Sequence, residues 1–362
     1  IWPVVGANLS NNWGSDLTVN IANGNVTVAS LKLGGTGSAI TTNVTASGAH
    51  RLVFENTELN DTVTNPGDPN ANPAIEPEPI WSFNQSRALI WSTGTTGVGK
   101  ENRISAPIQP NGGVDVEGNR DLHIYGDIHE GAIDRDPNDS YTELLESSIT
   151  NLMSGGAKLY IHGNIHTVGM SPAGQSTSSD GPGGDRGFGI NTARGIPVPE
   201  DPQNPPPAVT RLGTVEIFGS ILGDGLVSFG ADIGSQFPIS TVILHGDSSS
   251  FTGRMRFSRG NLVLGHDNAL GSGKMKPGNP TQGFGFNLIS DNEDRNIGTE
   301  IEISQWITVR GATSVEGLEY IGDHSLELSG PIYQSNTRGI INLLPAGKTL
   351  TISGQVYPNH KS

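Results

Sequence analysis

The feature that most constrains this chain is a seven-residue phrase that recurs along it: apolar, any, apolar, any, glycine, any, apolar. Alternate side chains of a β-strand point to opposite faces, so the first and third positions face the same side. Glycine then permits a bend, and the last apolar residue turns inward on the next strand. The complete phrase occupies Leu122–Ile128, Leu159–Ile165, Val215–Ile221, Leu326–Ile332 and Leu350–Val356, and its first half recurs in Val242–Gly246.

A strand, a glycine corner and a second strand make part of one coil of a parallel β-helix. One coil cannot bury its apolar side alone, so the repeats predict stacked coils with equivalent residues about 4.8 Å apart. The 50 glycines, the 23 prolines and the hydrophobic content of 34% suit many corners better than a helical core. The sequence therefore predicts an all-β fold, a single elongated right-handed parallel β-helix over residues 1–362.

Three segments interrupt the phrase and are predicted to project from the solenoid as loop insertions: residues 60–80, 133–155 and 169–210. The first is rich in Pro, Asn, Asp and Glu, and the third in Gly, Ser and Pro. The second contains one predicted short helix, because Ser140–Glu143 has the pattern of a capping box. The apolar residues that follow it at helical spacing are Leu144, Leu145, Ile149 and Leu152.

A more specific pattern lies in residues 241–273. An apolar strand ends at Gly246, followed by the aromatic-Thr-Gly segment Phe251–Gly253, the Gly-x-Leu-x-Leu segment Gly260–Leu264 and the Ala-Leu-Gly-x-Gly segment Ala269–Gly273. This stretch resembles the passenger-associated repeat of bacterial autotransporter-like proteins. The resemblance implies a right-handed parallel β-helix that is exported by a bacterium and located at the cell surface or outside the cell. It leaves the activity open, because one fold carries many functions.

Charge and motif content exclude several functions. The formal net charge of −15 would repel a phosphate backbone, so nucleic acid is not an expected partner. No apolar run reaches the roughly 18 residues of a membrane-spanning helix. The chain has no cysteine, no Gly-x-Ser-x-Gly elbow, no His-Glu-x-x-His helix and no P-loop. The sequence therefore favours a protein without catalysis.

One group of side chains has the chemistry of a metal site. Aligning the first two phrases places His129 beside His166, with Asp127 close to both. Imidazole nitrogens and a carboxylate at this spacing suit a divalent metal ion. Calcium is a second possibility, because acidic loops at residues 134–139 and 291–294 offer oxygen ligands. The alternative is that all these side chains are solvated polar residues without a ligand.

The same alignment brings together a second set of histidines. His162 and His245 both directly precede the glycine of their phrase, so they are expected in one row on the outer face. Because stacked imidazolium charges repel one another, this row predicts a weakly pH-sensitive surface.

Two further surfaces are candidates for contacts. Arg254, Arg256 and Arg259 alternate near a strand and would suit an acidic polysaccharide, although an exposed strand face explains them equally well. At the other end of the chain, the strand-like pattern of residues 17–21 places Leu17, Val19 and Ile21 on one face. The end strands of a solenoid have unpaired edges, so these residues are predicted to take part in head-to-tail self-association.

The leading hypothesis is an extracellular structural or interaction protein: a surface rod, an adhesin or a filament subunit. Its expected partners are further copies of itself and glycans of a cell surface or matrix. The alternative is a polysaccharide-binding or polysaccharide-lyase-like protein on the same fold, with the insertions walling a cleft. A cofactor is not expected beyond the divalent metal ion already considered.

Overall fold

The computed structural model of the chain describes residues 6–10, 16–34, 41–55, 88–94, 101–131, 147–154, 156–168, 187–193, 213–231, 241–257, 260–277, 285–314, 322–334 and 338–358. These residues form 32 β-strands and one turn of 3-10 helix, Ala312–Ser314.

The strands of the first half of the coil stack are short, with two to six residues each. They are β1 (Gly6–Ser10), β2 (Leu17–Ile21), β3 (Val26–Val28), β4 (Ser30–Gly34), β5 (Thr42–Ala46), β6 (Leu52–Glu55), β7 (Ala88–Thr93), β8 (Asn102–Ile104), β9 (Ile108–Asn111), β10 (Gly113–Gly118), β11 (Leu122–Ile124), β12 (Ile128–His129), β13 (Ser148–Asn151), β14 (Leu159–Ile161), β15 (Ile165–His166) and β16 (Phe188–Ala193).

The second half has the same character. Its strands are β17 (Thr214–Ile217), β18 (Ile221–Leu222), β19 (Leu226–Ala231), β20 (Thr241–Leu244), β21 (Arg254–Phe257), β22 (Gly260–Leu264), β23 (Lys274–Pro277), β24 (Phe286–Ser290), β25 (Arg295–Ile297), β26 (Glu300–Ile303), β27 (Ile307–Arg310), β28 (Leu326–Leu328), β29 (Ile332–Gln334), β30 (Ile340–Leu343), β31 (Leu350–Ile352) and β32 (Val356–Tyr357).

Four parallel sheets run along the stack. Sheet A has 12 strands in the order β1-β4-β7-β10-β13-β16-β19-β21-β23-β26-β29-β32, and sheet B has 11 in the order β2-β5-β8-β11-β14-β17-β20-β22-β24-β27-β30. Sheet C is β18-β15-β12-β9-β6-β3, and sheet D is β25-β28-β31. Because each strand pairs with the equivalent strand of the next coil, the chain is a parallel β-helix, as the sequence predicts.

The core is built from in-register rows of apolar residues. Leu122, Leu159 and Val215 pair with one another in sheet B, and each is fully buried. Phenylalanines fill the interior of later coils, where the Phe257 ring centroid lies 4.9 Å from that of Phe286. These rows belong to one continuous hydrophobic cluster from Ile21 to Ile332, so the alternation in the phrase predicted the inward face correctly.

Glycine at the corner of the phrase is required by close backbone approach. A Cβ placed on Gly163 would lie 2.2 Å from the carbonyl oxygen of Gly126, and one on Gly219 would lie 2.0 Å from that of Gly163. Successive coils therefore touch through their backbones at the corner between sheets B and C. A side chain there would force the coils apart.

The phrase occupies two different corners. Leu122–Ile128, Leu159–Ile165 and Val215–Ile221 join sheet B to sheet C, whereas Leu326–Ile332 and Leu350–Val356 join sheet D to sheet A. The same local geometry serves both places, because Gly354 approaches the carbonyl oxygen of Gly330 as closely as the earlier glycines approach theirs. The phrase thus encodes a corner and leaves its position around the coil undetermined.

Two predicted insertions contain strands of the solenoid. Ser148–Asn151, where the sequence suggested the continuation of a helix, is β13 of sheet A, with Ile149 fully buried. Pairing with β10 and β16 overrides the local helical spacing. Phe188–Ala193, inside the predicted insertion 169–210, is β16 of the same sheet. Residues 60–80 and the capping box at residues 140–143 lie outside the described residues.

Candidate functional site

The predicted metal ligands meet on the outer face of sheet C. β12 pairs with β15 so that Ile128 faces Ile165 in the core and His129 faces His166 on the surface. The two imidazole rings are stacked, with centroids 4.5 Å apart and planes within 9°. One oxygen of Asp127 lies 3.2 Å from Nε2 of His166. The potential ligand atoms of these three residues all lie within 4.8 Å of one another, the one such group among the described residues.

Polar groups of the neighbouring coils surround the histidine pair. Asp127 is held in place because its Oδ1 accepts a hydrogen bond of 2.8 Å from the backbone N–H of Asn164. Arg51 donates to Oε1 of Gln109 at 2.9 Å, on the preceding coil. Partial burial lowers the pKa of His129, and the charge of Arg51 and the proximity of His166 lower it further against the opposing effect of Asp127. These surroundings favour the neutral form of the His129 imidazole.

A row of stacked rings crosses four coils on the outside of the stack, directly after the sheet B strands β11, β14, β17 and β20. It consists of Tyr125, His162, Phe218 and His245, each directly before the phrase glycine. Successive ring centroids are 4.3, 5.0 and 4.5 Å apart, and the planes are tilted by 14° or less. We call these four residues the aromatic row. Because the rings stack on each other, their edges and not their faces are turned to solvent, which makes the row a poor platform for stacking a sugar.

A parallel row brings further polar rings to the same face. His123 stacks on Tyr160 at 4.4 Å between centroids. Its Nδ1 lies 3.0 Å from Nε2 of His162, and its Nε2 lies 2.9 Å from a carboxylate oxygen of Glu101. Burial lowers the pKa of both histidines, although Glu101 favours their charged forms. Burial followed by the negative charge of Glu216 raises the pKa of Tyr160 to about 12.

His245 lies between two carboxylates whose pKa values shift in opposite directions. Its Nε2 is 3.6 Å from Glu216, and its Nδ1 is 3.5 Å from Asp291. Burial alone would raise the pKa of Glu216, but the nearby His245 and the hydrogen-bonded ammonium of Lys158 outweigh burial and lower it. Burial raises the pKa of Asp291 despite the nearby His245. The arrangement can hold and exchange protons, but Asp291 is buried and thus out of reach of a bulky substrate.

The arginines expected to contact an acidic polysaccharide continue into a basic surface on sheet A. Arg254 pairs in register with Lys274, and Arg256 pairs with Lys276. The next strand supplies carboxylates, since Lys274 lies 2.8 Å from Glu300. Arg259 lies outside the described residues. The four cations of β21 and β23 form the largest basic group that the register builds on this face, and the sequence had located two of them.

The strand predicted to self-associate forms one edge of the stack. Leu17, Val19 and Ile21 lie on β2, which pairs with β5 and is, within the described part of the chain, the first strand of sheet B. At the opposite end, sheets A, B and D finish with β32, β30 and β31. The outermost described strands at the two ends of the stack contain no charged residue: β1, β2 and β3 at one end, and β30, β31 and β32 at the other. Charges are a usual device for blocking edge-to-edge pairing, and these strands do not use it.

The last described coil leaves its inward-facing row uncovered. Ile352 continues the row of Leu328, and Val356 continues the row of Ile332; both preceding residues are buried. Ile352 and Val356 are nevertheless 45% and 48% exposed. They are core residues by position, and among the described residues no further coil lies over them.

Sequence reasoning missed much of this surface. His162 and His245 were aligned correctly, but Tyr125 and Phe218 hold the same place in their phrases and complete the row. The signal was present in the ring-bearing residue before each phrase glycine. Asp291 was considered only as part of an acidic loop, because its contact with His245 depends on the register of β22 and β24. The carboxylates of that loop have different partners. Asp291 faces His245, whereas Asp294 accepts a hydrogen bond from the Ser325 backbone N–H.

Comparison with known proteins finds no matching family model, no matching curated protein and no matching solved structure. Across the described residues, no helix is both long and apolar enough to cross a membrane.

Proposed function

We propose that this protein is a non-catalytic structural rod that works outside the cell and associates end to end. The observation that carries the proposal is the uncovered inward row of the last described coil, with Ile352 and Val356 about half exposed. An extracellular location rests on the resemblance of residues 241–273 to passenger-associated repeats. The charge-free edge strands at both ends support association between unlike ends of two copies.

The geometry of the two ends favours a second copy as the occupant. All strand pairs of the stack are parallel, so β30, β31 and β32 offer edges that another parallel coil can extend. At the opposite end, β1, β2 and β3 are the outermost described strands of their sheets and offer edges for such pairing. A contact between unlike ends leaves one end of each copy open for the next copy. Because the copies add along the rod axis, the assembly grows as a filament and does not close into a ring.

The expected affinity is modest. Burying an apolar side chain completely stabilises a complex by about 1.5–3 kcal/mol, and Ile352 and Val356 are already half buried. Association costs about 4–15 kcal/mol in lost freedom, which the apolar contact must offset together with strand pairing in the sheets. Assembly should therefore depend on concentration.

Sedimentation velocity over a wide range of protein concentrations tests the proposal. The wild-type chain should show growing species as the concentration rises. The double variant Ile352→Lys, Val356→Lys should stay monomeric, because two charges would be buried in the contact. Val168→Lys is the matched control, since Val168 is an exposed apolar residue (52%) on the side of the stack. A wild-type protein that remains monomeric throughout, or a double variant that assembles normally, contradicts end-to-end association.

A second candidate function is binding of an acidic polysaccharide, and the observation that favours it is the basic group on β21 and β23. Arg254 and Arg256 lie one strand from Lys274 and Lys276, and strand spacing of about 4.8 Å suits the spacing of charges along a polyuronate. Glu300 and Glu302 on β26 partly neutralise the positive charge of this surface. Binding of the polysaccharide is therefore expected to be weak and salt-dependent.

Co-sedimentation with polygalacturonate, compared with neutral dextran, tests this second function. Arg254→Ala combined with Arg256→Ala should reduce the bound fraction, and Lys348→Ala, in a turn far along the chain, should leave it unchanged. If the protein cleaves the polysaccharide as a lyase, incubation with polygalacturonate should also release an unsaturated product that absorbs in the ultraviolet. Equal retention of the arginine variant would exclude this surface as the binding site.

A further inference from the structure

We propose that Asp127, His129 and His166 bind a divalent transition-metal ion of the zinc type, which links two neighbouring coils. This site is independent of end-to-end association, because it lies on the side of the stack. Three potential ligands from two strands converge on one point, and their ligand atoms lie within 4.8 Å of one another.

The ladder register gives the two histidines a fixed relation. Ile128 and Ile165 are fully buried, so the backbone at both positions is held by the core. The imidazoles that follow them project from the same face at a centroid separation of 4.5 Å. Metal-bound nitrogens in a tetrahedral site lie about 3.3 Å apart, given zinc–nitrogen distances of about 2.0–2.1 Å. The two stacked rings must also tilt towards each other so that both nitrogen lone pairs point at one ion, and rotation about the side-chain bonds of these partly exposed histidines allows this without moving the strands.

The carboxylate is oriented before any ion arrives. Asp127 accepts the Asn164 backbone N–H with Oδ1 and directs Oδ2 to within 3.2 Å of His166. A ligand fixed by an outer hydrogen bond binds a metal more tightly than a free one. Solvent can complete the coordination, because all three residues are partly exposed.

The donor set selects the class of metal. Two imidazole nitrogens with one carboxylate oxygen suit Zn²⁺, Ni²⁺, Co²⁺ or Cu²⁺. Ca²⁺ and Mg²⁺ prefer shells made of oxygen and should bind poorly here. The guanidinium of Arg51, near His129, repels a cation and should moderate the affinity.

The neighbouring coils supply substitutions that the fold already accepts at these positions. Gln109 follows Ile108 as His129 follows Ile128, and β18 places Leu222 beside His166. Asn164 holds the position of Asp127 one coil later and accepts the Ser220 N–H in the same way. The variants His129→Gln, His166→Leu and Asp127→Asn should therefore fold, which circular dichroism checks.

Isothermal titration of the chelator-treated protein with ZnCl₂ tests the site, with CaCl₂ as the second titrant. The wild-type chain should bind zinc at this site and respond weakly to calcium. The variants His129→Gln and His166→Leu should each weaken binding by roughly tenfold or more, because loss of an outer partner alone costs about 10–100-fold. Zinc should raise the melting temperature of the wild-type chain, and chelator should reverse the rise.

His266→Ala provides the control, because His266 is a partly exposed histidine in the bend after β22, three coils beyond the coil of His166. It should bind zinc like the wild-type chain. Zinc binding that is undetectable at millimolar concentration would overturn the proposal. So would binding that persists unchanged in the two histidine variants, since the ion would then be held elsewhere on the chain.

Discussion

Replacing Gly219 with alanine should destabilise the stack, because the added methyl group forces two neighbouring coils apart. The new Cβ would lie 2.0 Å from the carbonyl oxygen of Gly163 and 2.5 Å from its carbonyl carbon. Ordinary contact begins at 3.4 Å, so the two coils must separate locally by about 1.4 Å. Both opposing atoms belong to the backbone, and no side-chain rotation relieves the overlap.

The cost follows from what that separation disrupts. Overpacking costs about 1–3 kcal/mol. The 2.9 Å hydrogen bond from the Ile165 N–H to the Ser220 carbonyl lies next to the clash, and its loss adds about 1 kcal/mol. We therefore expect Gly219→Ala to reduce the free energy of unfolding by about 2–4 kcal/mol.

Guanidinium denaturation followed by circular dichroism measures this change, and hydrogen exchange locates it. Amides of residues 161–165 and 217–221 should lose protection first, because each coil of a repeat fold contacts only its neighbours. Gly298→Ala is the control: its nearest non-neighbour atom would be 3.9 Å away, so the effect should be within about 0.5 kcal/mol. Equal denaturation midpoints for the two variants would refute close backbone contact at the phrase corner.

Two further predictions test the core and the aromatic row. Phe257→Ala removes a buried ring packed on Phe286 and should cost about 3–5 kcal/mol, whereas Trp91→Ala, at a 44% exposed position, should cost far less in the same denaturation assay. Burial lowers the pKa of His162 in the folded chain, and the charges of Glu101 and Glu216 only partly oppose this. As the pH falls below the unfolded value of 6.5, the imidazole of the unfolded chain is therefore protonated before that of the folded chain. Stability should therefore be lost from about pH 6.5 downward. His162→Phe, which copies Phe218 of the next coil, should flatten the melting temperature between about pH 8 and pH 5; a curve parallel to that of the wild-type chain would contradict this origin.

The repeated core was predictable because a period of two residues and a corner glycine encode it locally. Leu122, Ile124 and Gly126 each do in the structure what their place in the phrase requires. The location of strands inside the predicted insertions was not predictable in the same way. Phe188–Ala193 is a short strand among glycines and prolines, and only pairing with its two neighbours identifies it.

The candidate sites also combine features that the local sequence predicts with features that depend on long-range strand pairing. His129 and His166 are adjacent because one phrase aligns with the next, and the sequence suffices for that. The contact of His245 with Asp291 depends on a register across coils that lack the phrase. The exposure of Ile352 and Val356 is a property of the stack, since their local pattern is that of buried residues. Local sequence patterns therefore predict which residues align in a row. Long-range strand pairing decides which residues end that row and are exposed.

Electron microscopy of the wild-type chain over a range of concentrations tests the central claim most directly. The twelve described strands of sheet A, at about 4.8 Å each, make the described part of each chain about 55–60 Å long. The account predicts unbranched particles one coil wide, whose lengths increase in steps of about that size as the concentration rises. Single rods of one chain length at every concentration, or assemblies joined side by side, would contradict it.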